Sequence, residues 1–195
     1  MNEGLALLQR RILFLSGEVS ADTANRLIAQ LLLLDADDHA APIDLYINSP
    51  GGSVTDGVAV VDAMRCIQAP VSTICVGLAA SMAAWILAAG APGRRFVSPN
   101  AEVMIHQVAT SFGGQAADIE VYAQRTLRLQ SRLVEMLAEW TGQRPERIRG
   151  DMARDYFMSA SEACAYGLAD QVLVPFAAGS ELARGDEESR QGVQG

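Results

Sequence analysis

The sequence predicts an α/β fold built on a largely parallel sheet, and three observations lead there. Short apolar runs of strand character alternate with segments of helical periodicity along most of the chain. The run Val71–Val76 (VSTICV) is short, β-branched and uncharged, the composition of a strand buried on both faces. Strand-like runs also lead straight into turns rich in glycine and small residues that open helices, as at Asn48-Ser49-Pro50-Gly51-Gly52. Strand, helix, strand in this rhythm implies right-handed crossovers between parallel neighbours. The 195 residues suffice for one core and show neither an inter-domain linker nor a fixed-period repeat, so one domain is expected.

Met1–Arg10 is a short segment ahead of a first strand at Arg11–Leu15 (RILFL). Ser20 is placed to cap the helix ADTANRLIAQLLLLDAD, whose apolar residues recur at helical spacing. Ile43–Ile47 is the next strand, and a helix over Ser53–Ile67 follows, with Ser53 and Asp56 at capping-box spacing. Gly77 is expected to end the strand Val71–Val76, and Ser81–Ala89 reads as a helix closed by Gly90 and Pro92. Arg95–Ser98 and Glu102–Ile105 are two further short strands. Across Gln115–Trp140, Ile119, Tyr122, Leu129, Leu133, Met136, Leu137 and Trp140 mark one helical face. At 1.5 Å per residue that helix is roughly 39 Å long, so it either spans the core or protrudes to meet another subunit. Pro145 opens a short helix, Ser159 and Glu162 form a capping box for one ending at Gly167, and Asp170–Leu173 is a last strand. Beyond Pro175 the apolar pattern stops, and residues 175–195 are expected to be a disordered tail on a domain spanning 11–174.

Composition excludes several classes. A net charge of −8 without a basic patch argues against a nucleic-acid partner, and Arg94-Arg95 and Arg147-Ile148-Arg149 read as solvated charges. Cys66, Cys75 and Cys164 show neither pairing number nor metal-ligand spacing, so buried free thiols in a reducing compartment are expected. Cys66 to Gly93 carries no charge until Arg94, but Pro70, Gly77, Gly90 and Pro92 punctuate it; a buried strand and helix explain it better than a membrane span. The first ten residues lack the pattern of a secretory signal, and a cytoplasmic protein is expected. No GxGxxG or GxxxxGK[ST] motif implies a nucleotide cofactor.

Histidine occurs only at His39, in the polar loop DADDHAAP, and at His106, which ends the apolar run VMIH. The ends of parallel strands are where α/β proteins place reactive groups, so His106 is the candidate base, although a structural histidine fits too. Ser81 follows a buried strand in a small-residue turn at a helix start, where free N–H groups favour developing negative charge. An ordinary N-cap serine is the plainer alternative. Gly51-Gly52 open another helix, and their N–H groups together with that of Met82 suit an oxyanion site, or simply a tight turn. Asp155 lies at a polar-to-apolar transition and is suited to orient a histidine, and Asp151 and Asp170 serve nearly as well on this ground.

At these residues the chain resembles the proteolytic subunit of the Clp protease. The matching stretches are YINSPGGSVTDG (46–57), VSTICVGLAASMAAWILAAG (71–90), RRFVSPNAEVMIHQ (94–107), GGQAADIEVYA (113–123) and RDYFMSASEACAYGLAD (154–170). The resemblance implies the ClpP/crotonase fold, an α/β spiral of strand-strand-helix units with a long protruding handle helix. It implies a serine endopeptidase with nucleophile Ser81, base His106 and orienting acid Asp155, spaced by 25 and 49 residues, and oxyanion donors Gly52 and Met82. It further implies two stacked heptameric rings of this chain or a paralogue, fed with unfolded proteins by an ATP-hydrolysing AAA+ unfoldase, and no metal or cofactor on the chain itself. Four features depart from the pattern: the N-terminal segment is short, Val108 stands where the family usually has proline, Ala109–Phe112 departs from the family's Gly-rich loop, and Ala153 replaces an acidic residue that in many members pairs with the following arginine across the rings.

Two other readings differ in class. A weakly active subunit of a mixed ring agrees with the departures and not with the complete set Ser81, His106 and Asp155. A crotonase-type acyl-CoA enzyme needs carboxylates where Ser81 and His106 stand. A peptidase with a lysine base is excluded, because the chain contains no lysine.

Overall fold

The computed structural model describes residues 3–109 and 115–174; the expected tail and part of the loop after His106 lie outside the described residues. One sheet of seven strands organises the molecule: β1 (Ile12–Ser16), β2 (Ile43–Ser49), β3 (Val71–Ala80), β4 (Arg95–Val97), β5 (Glu102–Ile105), β6 (Tyr156–Ser159) and β7 (Gln171–Val172). The helices are α1 (Glu3–Gln9), α2 (Ala21–Asp37), α3 (Val54–Cys66), α4 (Met82–Ala88), α5 (Ala116–Thr141), α6 (Pro145–Asp151) and α7 (Ala160–Tyr166). The order β1-β2-β3-β4-β7 is parallel throughout, as the crossover rhythm predicts.

Several expectations are corrected. The segment before the first strand forms α1, and Arg11 lies outside β1 with φ 61°. Its guanidinium donates to the carbonyls of Leu34, Asp38, Ala41 and Pro42, tying the start of β1 to the C-terminus of α2 and the loop beyond it. Gly77 does not end β3. At φ 83° it carries the strand through an irregularity opposite Ile47–Ser49, with the Asn48 side chain against its Cα. On one side of this kink β3 pairs with β4 through Thr73–Cys75, and on the other it pairs with β5 through Leu78–Ala80. The sheet therefore forks, and β6 extends the fork antiparallel to β5. No strand was expected at Tyr156–Ser159, because four residues of YFMS give too short a pattern to separate from the helix that follows.

Every residue of α4 is buried, which accounts for the uncharged stretch: it is a strand and a helix enclosed by the rest of the fold. Among the described residues no helix is long and apolar enough to cross a membrane. Trp85, on α4, donates its ring N–H to the Leu133 carbonyl at 3.0 Å and so docks α5 onto the core. Leu133, Val134 and Leu137 are buried beneath α5, whereas Ile119, Val121, Tyr122 and Leu127 nearer its start are 43–67% exposed. The helix is anchored at its C-terminal half and stands clear of this chain's core at the other.

Arg95 is not a solvated charge but a buried one. It pairs with Asp170 through both carboxylate oxygens and donates to the carbonyls of Ala88, Trp140 and Gly167. Of the cysteines only Cys75 is fully buried, and burial pushes its thiol up to about 12; Cys164 is half-buried and Cys66 exposed, against expectation. A thiol reagent at mildly alkaline pH is expected to modify one cysteine rapidly in the folded protein. Cys66→Ser should remove that phase, while Cys75 should react only on unfolding; a fast phase surviving Cys66→Ser would contradict the burial.

Candidate active site

Ser81 joins β3 to α4 with φ 52° and ψ −130°, a conformation that disfavours any side chain. It is held there from both sides. Its N–H donates to the Met104 carbonyl on β5 at 2.9 Å, and Gly51 presses against it so closely that a Cβ at 51 would lie 2.5 Å from the Ala80 carbonyl oxygen and 2.6 Å from Ser81 Cβ. Gly51, at φ 88°, is thus required by close approach as well as by its backbone angle. The hydroxyl of Ser81 caps nothing in α4, which removes the plain N-cap reading. It lies 2.9 Å from His106 Nε2.

His106 immediately follows β5, and its Nδ1 is 3.2 Å from Asp155 Oδ1. The antiparallel register Ile105↔Tyr156 sets the residue after β5 opposite the residue before β6, so strand pairing brings His106 and Asp155 together. This is the information the sequence lacked while β6 went unrecognised. The other candidate carboxylates are committed elsewhere: Asp151 accepts from the Tyr166 hydroxyl and pairs with Arg147, and Asp170 holds Arg95. His39 is exposed in its loop.

Gly52 forms an isolated parallel bridge with Val19, whose N–H donates to the Gly51 carbonyl and whose carbonyl accepts from Ser53, both at 2.8 Å. That pattern uses the Gly51 carbonyl and the Ser53 N–H; the Gly52 N–H, opposite the Gly51 carbonyl in the same trans peptide unit, therefore points away from Val19. Met82 is the first residue of α4, so its N–H has no helical acceptor. Gly52, Ser81, Met82 and His106 line one recess of about 240 Å³, floored by Trp85 and walled by Val108. No Asp, Glu, Lys or Arg lines it among the described residues. A larger recess of about 460 Å³ lies between the ends of α3 and α5, but no serine, cysteine or histidine borders it, so size does not mark the site. Trp85 and Val108 were not singled out as cleft residues in the sequence, where they read as helix core and loop. Among the described residues no group of three or more His, Cys, Asp or Glu side chains is placed to hold a metal.

A hydroxyl, an imidazole and a carboxylate in hydrogen-bonded series, beside free backbone N–H groups and an apolar recess on an α/β sheet, is the arrangement found in serine hydrolases. The family model for Clp protease matches residues 3–175, and the chain belongs to that family. It is accordingly a serine peptidase of the ClpP type with the α/β fold of that family.

Proposed function

We propose that the chain is the serine endopeptidase subunit of a self-compartmentalising, ATP-dependent protease, hydrolysing unfolded proteins delivered by an AAA+ unfoldase and short peptides directly. The observation that carries this is the continuous series Ser81 Oγ, His106 Nε2 at 2.9 Å, and His106 Nδ1 to Asp155 Oδ1 at 3.2 Å. Ser81 attacks the peptide carbonyl as His106 takes its proton; Asp155 orients the imidazole and stabilises its charged form. The Gly52 and Met82 N–H groups stabilise the oxyanion, each donor contributing about a hundred- to a thousandfold in rate. His106 then returns the proton to the leaving amine, and water hydrolyses the acyl-enzyme. The uncharged recess suits an apolar side chain next to the scissile bond. No cofactor enters this chemistry.

Assembly into stacked rings is supported by the exposed apolar residues gathered near the start of α5, Ile119, Val121, Tyr122 and Leu127, together with Leu32 and Leu33 on α2. The cytoplasm, where thiols stay reduced, suits the three free cysteines. A fluorophosphonate probe followed by mass spectrometry tests the reading: Ser81 is expected to be labelled, and His106→Ala to abolish labelling. Labelling elsewhere, or labelling indifferent to His106, would overturn it. A second reading, a weakly active member of a mixed ring, draws on Arg154, which is exposed, follows Ala153 and makes no ion pair among the described residues. Purified alone and sized by light scattering, such a subunit would fail to form a ring.

A further inference from the structure

One turn of α5 touches the cleft from behind at points that the proposed acyl transfer does not use. The Leu133 carbonyl accepts the Trp85 N–H, and Leu133 itself borders the recess. One turn earlier, Gln130 extends its side-chain oxygen to the backbone N–H of Val108 at 2.7 Å, across 22 residues of sequence. Gln107, Val108 and Ala109 follow His106 directly and form part of the cleft wall. Pairing of β5 with β6 stops at Ile105, so these residues have left the ladder. Gln107 retains one anchor, an N–H bond to the Met152 carbonyl at 2.9 Å, and Val108 depends on Gln130 for its own. A half-buried N–H without an acceptor is unfavourable, so the Gln130 amide decides where this segment rests.

We propose that Gln130 is a positioning residue: by accepting the Val108 N–H it holds the segment Gln107–Ala109 as a preformed wall against which the peptide substrate binds. This rests on the peptidase reading above. The bond acts on the wall and not on the contact between Ser81 and His106, which keeps its own geometry. Its effect therefore falls on substrate binding more than on the reactivity of the hydroxyl. Any side chain of similar length with an acceptor at that position supports the wall, and an isosteric one without an acceptor does not.

The test compares Gln130→Met with Gln130→Glu in the full chain, each first shown by light scattering to assemble as the parent does. For a short fluorogenic peptide, Gln130→Met is expected to raise KM about three- to tenfold, the range of one hydrogen bond. Its kcat and its rate of fluorophosphonate labelling should stay within about twofold, and Gln130→Glu should keep KM within about twofold. Amide hydrogen exchange over Gln107–Ala109 should accelerate about tenfold in Gln130→Met alone. An unchanged KM in Gln130→Met, an equal rise in both variants, or a loss confined to kcat would overturn the proposal. Should the parent itself be neither labelled nor active, the peptidase reading fails, and hydrogen exchange still decides. Faster exchange in Gln130→Met alone retains the clamp, and equal exchange in both variants removes it.

Discussion

Ser81→Ala and Ser81→Gly are both expected to lower kcat for a peptide substrate by about 10⁴- to 10⁶-fold, yet to differ from each other in stability. Without the hydroxyl there is nothing for His106 to activate, and the residual rate reflects the oxyanion donors and binding alone. The two variants part at the backbone. Ser81 sits at φ 52° and ψ −130°, where a Cβ is strained and glycine is not. Alanine keeps the strain and glycine relieves it, so Ser81→Gly should unfold at the higher temperature. The difference should be about 1 kcal/mol, or about 2–4 °C for a domain of this size. Thermal unfolding beside a kinetic assay reads both effects. Equal melting temperatures would mean that the turn is not strained, and hydrolysis surviving in Ser81→Ala would place the nucleophile elsewhere. A Ser81→Gly variant more stable than Ser81→Ala is the signature of a turn held in shape by its surroundings.

Arg95→Met is expected to be the most damaging single change for folding, at about 3 kcal/mol or roughly 6–12 °C in melting temperature. The loss is large because one side chain serves Asp170, Ala88, Trp140 and Gly167, and so ties α4, α5 and the residues flanking α7 to β4. Methionine fills some of the space but leaves a partly buried carboxylate unpaired and three carbonyls without this donor. The same pair sets a pH dependence. Burial pushes the Asp170 carboxyl up, but the hydrogen bonds and charge of Arg95 outweigh it and hold it below its ordinary value. A carboxylate depressed on folding stabilises fully above its unfolded value of about 3.9, and the stabilisation drains away as pH falls through the lower folded value. Urea midpoints at neutral pH and near pH 3 should therefore lie closer together in Asp170→Asn than in the parent. An equal spacing would show that the pair contributes nothing to acid unfolding.

The parallel spine was legible because its signals are local. VSTICV is short and β-branched, Glu102–Ile105 follows the turn residues Ser98-Pro99-Asn100, and Ser159 with Glu162 marks a helix start that the structure reproduces as a reciprocal capping box. What escaped depends on partners distant in sequence. Gly77 reads as a strand breaker until Asn48 and the fork between β4 and β5 are known. Arg95 reads as a surface charge until Asp170 arrives from 75 residues away. The candidate site divides the same way. Ser81 and His106 stand at strand ends where local patterns point to them, whereas residue physics left Asp155 level with Asp151 and Asp170. The register of β5 with β6, and the commitment of Asp151 to Tyr166 and Asp170 to Arg95, separate the three, and residue patterns do not encode either.

That register also bears on the life of the chain before it is complete. Ser81 and His106 leave the ribosome well ahead of Asp155, which follows His106 by 49 residues and reaches it only once β6 has docked on β5. At about 5–20 residues per second the interval is roughly 2–10 s. During it a nascent chain carries the hydroxyl and imidazole without the carboxylate that completes the hydrogen-bonded series. The candidate site is therefore among the last features of the fold to be completed, after most of the chain around it has been made.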